Sequence, residues 1–126
     1  MAIFGEIDRN RKTAIYIRIS TQMQQTDRQR EELLQYAKQC GIAIDEAEDV
    51  YTDVISGFKD GETRPSYSIL KQKVEDGVYR QILFSEFSRL DRKPSNLLKS
   101  IEYYQSKDVY LYFSKQHLWV RDKSDI

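Results

Sequence analysis

Residues 14–20 read Ala14-Ile15-Tyr16-Ile17-Arg18-Ile19-Ser20. Three isoleucines alternate with Tyr16, Arg18 and Ser20, and alternation at period two marks a strand. One face carries Ile15, Ile17 and Ile19. The other carries a phenol, a guanidinium and a hydroxyl. An arginine inside a strand needs an anionic partner, because an unpaired buried charge is expensive. Two partners are open to Arg18: a carboxylate such as Asp53, or a phosphate that comes with a ligand. The planar donor fork of arginine suits phosphate.

Outward from this strand the order of elements sets the fold class. "STQMQQTD" (20–27) is polar. Thr26 can cap a helix, with Gln29 three residues on completing a capping box. Leu33, Leu34, Ala37 and Cys40 then supply an apolar helical face that stops at Gly41. "AEDVYTD" (47–53) reads as a second strand and "ISGFKDGETRP" (55–65) as a loop. Pro65 opens a helix with Leu70 and Val74 inward, ending at Gly77. "QILFSEF" (81–87) reads as a third strand, followed by "SRLDRK". Pro94 opens a last helix with Leu97, Leu98, Ile101 and Tyr104 at helical spacing, and "VYLYFS" (109–114) is a fourth strand. The tail from Lys115 has no clear pattern. Strand–helix alternation of this kind predicts an α/β domain, with a mainly parallel central sheet of four to five strands flanked by helices. Ligands of such sheets bind beyond the carboxyl ends of the strands. Ser20, the 53–64 loop and Arg89/Arg92 all follow such ends.

Composition narrows the chemistry. The 126 residues make one domain, with 40% hydrophobic and 32% charged side chains. No apolar run approaches the roughly 18 residues of a membrane span, and the start lacks the apolar core of a signal peptide. Cys40 is the single cysteine, which points to a reducing cytoplasm, and the single histidine, His117, argues against a histidine metal site or a Ser-His-Asp triad. Net charge is zero but unevenly spread. Residues 41–63 hold seven acids and one base, whereas 64–126 hold twelve bases and eight acids. The total therefore gives no support for nucleic-acid binding, and only a local cluster can. Such a cluster exists on paper. Arg89 and Arg92 are three apart, one helical turn, and with Arg18 and Arg64 they can surround a phosphodiester near the Ser20 hydroxyl. Guanidinium groups would supply the positive charge that a metal ion supplies elsewhere, so no metal and no cofactor is expected.

The ordered set "YIRISTQMQQTDRQ", "DVISG", Arg64 and "SRLDR" resembles the catalytic domain of the serine recombinases, the resolvase/invertase family, over roughly residues 13–113. The resemblance implies a resolvase-like catalytic domain that cuts and rejoins double-stranded DNA at specific sites. The serine forms a 5′-phosphoserine link and releases a 3′-hydroxyl, without metal or ATP. It implies Ser20 as nucleophile, Arg18, Arg89 and Arg92 as phosphate-binding arginines, and Arg64 assisting from the loop. Tyr16, Gln24, Gln29, Asp53 and Ser56 match further active-site positions. Each of these five also has a plainer reading: packing for Tyr16, a solvated side chain for Gln24, the capping box for Gln29, arginine orientation for Asp53, the turn before Gly57 for Ser56. No side chain is assigned as the base that activates Ser20. Where the family often has Asp before Arg-Leu-x-Arg, this chain has Ser88, with Asp91 in the variable slot. The expected organisation is a flexible segment over 1–13 and the catalytic domain over 14–126. The family's long dimerisation helix and DNA-binding domain lie outside this chain. The resemblance also implies a homodimer and a synaptic tetramer for the full-length protein, cytoplasmic and without membrane contact, and an isolated domain inactive alone. Competing readings are a degenerate domain that only binds proteins and a nucleotide-binding or phosphohydrolase α/β domain, which metal-dependent hydrolysis would mark. A tyrosine recombinase is disfavoured by the lone histidine.

Overall fold

The computed structural model describes residues 10–20, 26–55 and 64–121. Five strands form one sheet: β1 (Thr13–Ser20), β2 (Val50–Ile55), β3 (Gln81–Phe84), β4 (Tyr110–Phe113) and β5 (Leu118–Val120). Helices α1 (Thr26–Cys40), α2 (Pro65–Glu75), α3 (Phe87–Leu90) and α4 (Pro94–Ser106) connect them. The spatial order is β2-β1-β3-β4-β5. Every pairing is parallel except that of β4 with β5, which is antiparallel.

The alternation in β1 builds both faces of the sheet. Ile15, Ile17 and Ile19 pack with Leu33 and Ala37 of α1 and with Leu83, Tyr112 and Trp119. Ala14 and Tyr16 join the opposite core, with Leu70 and Val74 of α2 and Ile101 and Tyr104 of α4. The result is three layers with hydrophobic cores on both sides, as parallel sheets require.

Two glycines end helices as the sequence predicts. Gly41 sits at φ +77° and Gly77 at φ +80°, a region that costs glycine nothing. At the first, Gly41 N–H donates to Lys38 and Ile42 N–H to Ala37; at the second, Gly77 N–H donates to Val74 and Val78 N–H to Lys73. This paired pattern satisfies the last carbonyls and turns the chain back toward the sheet.

Four expectations need correction. The third strand stops at Phe84, because residues 87–90 coil into α3. A fifth strand occupies the unassigned tail; its cue, a tight turn at His117 with φ +50°, is not written in glycine or proline. Leu98 lies on the outer side of α4 and is exposed. The loose segment expected over 1–13 is too long. Thr13 is already in β1, and Arg11 donates to the Arg80 and Asp108 carbonyls.

Candidate active site

Chain order places the site. From β1, one connection runs to β2 on one side and the next crosses back to β3 on the other. A crevice opens beyond the carboxyl ends of adjacent strands where the order reverses. Here those strands are β1 and β3, and their ends carry Arg18, Ser20 and the 85–91 segment. The backbone of Ser20 closes β1, opposite Ile55. Its side chain, with Gln24 and Ser56, lies outside the described residues.

Arg18 is buried, and its guanidinium donates to the Ser88 carbonyl at 3.0 Å. Asp53 is its register neighbour on β2, yet the carboxylate of Asp53 serves another purpose. It accepts the Tyr16 hydroxyl at 2.7 Å and the backbone N–H groups of Ser66 and Tyr67 at 2.9 and 3.0 Å. Those amides are two of the orphan donors at the start of α2, whose own N-cap residue, Arg64, makes no side-chain cap. A carboxylate from the neighbouring strand therefore caps the helix, a favourable place for negative charge. The same bond holds Tyr16 as a neutral phenol. Burial raises its pKa most, the hydrogen bond to Asp53 adds to this, and the charge of Arg64 opposes it only in part. A phenol held this way keeps its proton at neutral pH and donates it only as a hydrogen bond, to Asp53.

Arg64 closes the other side. Its guanidinium donates to the Arg89 and Leu90 carbonyls at 3.2 and 2.9 Å, and stacks 4.1 Å from the Tyr67 ring centre. It thus receives the last carbonyls of the short α3. Arg18 and Arg64 together fasten the 88–90 backbone to β1 and α2.

Arg89 and Arg92 do not share a helical face. The chain leaves helical geometry at Asp91, with φ −152° and ψ 140°, so the one-turn spacing is broken between them. Arg92 is exposed on the bend before α4. Arg89 turns toward Glu86, whose carboxylate lies 3.9 Å away, and its Nε is buried with no acceptor among the described residues. Gln29 is buried, and its carbonyl accepts from Ser85 Oγ at 3.3 Å across the interface between α1 and the end of β3. Its side-chain acceptor is therefore engaged with the sheet end, contrary to a purely local capping box. Its Nε2 has no partner among the described residues.

The Resolvase, N terminal domain family matches the chain over residues 13–125. The chain belongs to this resolvase family. The N-terminal catalytic domain of TP901-1 integrase is similar in structure, with a TM-score of 0.71 and 25% identity over 85% of this chain and 79% of that one. The C-terminal catalytic domain of ISC1926 TnpA, an IS607-like serine recombinase, shares the fold with a TM-score of 0.68 and 24% identity, over 81% and 69% of the two chains. No curated protein matches it. The mainly parallel sheet expected from the sequence is thus the resolvase fold.

Within this resolvase site the residue sequence reasoning missed is Glu86. At the position before Arg89 the chain has Ser88, whose hydroxyl donates to Glu86 at 2.6 Å. The carboxylate beside Arg89 comes from two residues upstream. The signal lay in "SEFSRLDR", read as strand continuing into loop; the tight turn of α3 is what folds Glu86 back over Ser88 and Arg89.

Proposed function

We propose that this resolvase-family domain catalyses site-specific DNA recombination through Ser20. The observation that carries the reading is that Arg18 and Arg64 both bind the 88–90 backbone that carries Arg89, beside the end of the strand that Ser20 closes. In the proposed step Ser20 Oγ attacks the phosphorus of a DNA phosphodiester. The P–O3′ bond breaks, a 5′-phosphoserine forms, and the 3′-oxygen leaves as a hydroxyl after taking up a proton. The serine proton passes to a base that is not assigned. Rejoining is the reverse, with a 3′-hydroxyl attacking the phosphoserine. The link conserves the phosphodiester energy, so ATP has no role. Guanidinium groups stabilise the charge that builds on the non-bridging oxygens. On this reading metal is not required.

The domain's zero net charge supports a division of labour. Phosphate contacts supply most DNA affinity and base contacts supply choice of sequence. We assign sequence choice to a separate DNA-reading element, and double-strand cleavage to paired subunits in a synaptic tetramer. Among the described residues no helix is long and apolar enough to cross a membrane.

The test joins the chain to a DNA-binding module of known specificity. A duplex carrying that module's sites around a randomised, nicked core is incubated with the fusion in EDTA. The reading predicts a covalent protein–DNA species on denaturing gels that Ser20→Ala lacks. Cleavage that needs Mg²⁺ and leaves no covalent species would favour the phosphohydrolase reading.

A further inference from the structure

Arg64 is held by two side chains, and both lead to α4. It is the N-cap residue of α2, yet its side chain makes no cap bond. A free arginine side chain samples many rotamers, and ordering it costs free energy. The first arm is Tyr67, whose ring centre lies 4.1 Å from the guanidinium. Tyr67 is buried, and its hydroxyl meets that of the buried Tyr104 at 2.7 Å. The Tyr16 ring stands edge-on to it, with centres 5.3 Å apart. The second arm is Asp91, 4.0 Å from Arg64 Nη2, whose carboxylate accepts from the Ser100 hydroxyl. Ser100 and Tyr104 are four residues apart on α4, so they stand on one face, a turn from each other. Both arms therefore start from neighbouring points of one helix. Between them, Arg64 Nη1 donates to the Arg89 and Leu90 carbonyls.

We propose that Tyr67 and Asp91 are positioning residues for strand cleavage: anchored on α4, they fix the Arg64 guanidinium and, through it, the backbone that carries Arg89. Tyr67 lies outside the family motifs quoted above and Asp91 falls in their variable slot, so the resemblance assigns a role to neither. The inference rests on the recombinase reading for the reaction that Arg64 serves. The two arms act on different properties of the cation. The face of a phenol ring attracts a guanidinium and leaves its in-plane N–H donors free for oxygen acceptors. The carboxylate draws one edge of the fork and so sets its rotation over the ring. A fork fixed in both ways is already ordered when DNA arrives, and the ordering cost falls on folding instead of on cleavage. Misplacing a reacting group by about 1 Å can cost roughly a hundredfold in rate, so a small release of Arg64 is measurable.

Single-turnover formation of the covalent species by the fusion protein in EDTA, over a range of protein concentrations, separates rate from DNA affinity. Tyr67→Leu removes the ring. It is expected to slow the step about tenfold at saturating protein, with the half-saturating concentration unchanged. Tyr67→Phe keeps the ring and is expected to stay within about twofold of the parental rate. Asp91→Asn keeps an acceptor for Ser100 but removes the charge, and is expected to slow the step about threefold. Asp91 is part-exposed, so this variant folds and decides the case if Tyr67→Leu does not. The ¹⁵N signal of Arg64 Nε reports the clamp without DNA. It should hold its position in Tyr67→Phe and move to that of a solvated arginine in Tyr67→Leu. Parental rates in both Tyr67→Leu and Asp91→Asn overturn the proposal. So does an Arg64 signal that Tyr67→Leu leaves in place, or a slowing that higher protein concentration abolishes. A parent that forms no covalent species would sink the recombinase reading, and the Arg64 signal would still decide the clamp.

Discussion

The two ends of the same sheet treat charge differently. Lys12, Asp49, Arg80 and Asp108 each precede a parallel strand, and all are matched. Asp49 is buried and accepts from Lys12, from the Asp45 N–H and from the Tyr79 hydroxyl at 2.9 Å. Asp108 receives Arg80 at 2.8 Å and Arg11 at 3.3 Å. The carboxyl end is different. Gln29 Nε2 and Arg89 Nε are buried and unanswered among the described residues, and Arg18 and Arg64 spend donors on backbone carbonyls. A closed electrostatic account holds a fold together. On the proposed reading, the one left open on the donor side receives a phosphate oxygen that arrives with the DNA.

Substitutions at the two ends should therefore break different things. The largest stability loss is expected at Asp53, which does both jobs. Asp53→Ala strips the cap from α2 and leaves the Tyr16 hydroxyl buried without an acceptor, at a cost of about 2–4 kcal/mol in urea unfolding. Asp49→Ala should cost a similar amount, about 2–4 kcal/mol, for the loss of three donors' acceptor. Yet its cleavage per folded molecule should match the parent, and a cleavage defect there would erase the contrast between the ends.

Gln29→Leu sharpens the comparison from the other side. It removes a buried donor that has no partner among the described residues together with the acceptor of the Ser85 hydroxyl, so stability should fall by no more than about 1 kcal/mol, while DNA binding weakens about tenfold or more. A large loss of stability would mean that Nε2 is satisfied within the fold. Glu86→Gln is a smaller perturbation. Unfolding should stay within about 0.5 kcal/mol, typical of part-exposed sites. Cleavage should fall by about tenfold as Arg89 and Ser88 lose their shared carboxylate; parental cleavage would show that Arg89 is placed by something else.

The mildest lever is pH. Burial raises the pKa of Tyr16, Tyr36, Tyr67, Tyr79, Tyr104 and Tyr112 above the ordinary value of 10.0. These phenols are favoured neutral in the folded state, so the unfolded chain loses its protons first. Stability is full below pH 10 and declines as pH rises above it. Absorbance at 295 nm should show these tyrosines ionising together with unfolding, and ionisation in a still-folded chain would contradict their burial.

The sequence made the scaffold legible because periodicity reports burial directly. The isoleucines of 14–20 and the Leu33–Ala37 spacing meet on one face of the sheet, and Ala14 and Tyr16 lie on the other. Gly41 and Gly77 stop their helices where only glycine is free of strain. What could not be read was side-chain direction after the strand ends. The three-residue spacing of Arg89 and Arg92 promised a shared face, but Asp91 takes extended geometry between them. Asp53 looked like a partner for Arg18, and only the tertiary approach of α2 turns it into a cap. Ser88 looked like a loss of the family's carboxylate, and a single turn of helix brings Glu86 beside Arg89. β5 is a three-residue strand, too short for period two to show.

The central claim is that Ser20 forms the covalent bond, and peptide mass spectrometry tests it most directly. The fusion protein is trapped on nicked DNA in EDTA, digested with nuclease and trypsin, and the fragment Ile19–Arg28 is sequenced in the spectrometer. That fragment also holds Thr21 and Thr26, two competing hydroxyls. The account predicts a nucleotide joined through its 5′-phosphate to Ser20 alone. A nucleotide on either threonine, or cleaved DNA with an unmodified fragment, would contradict it.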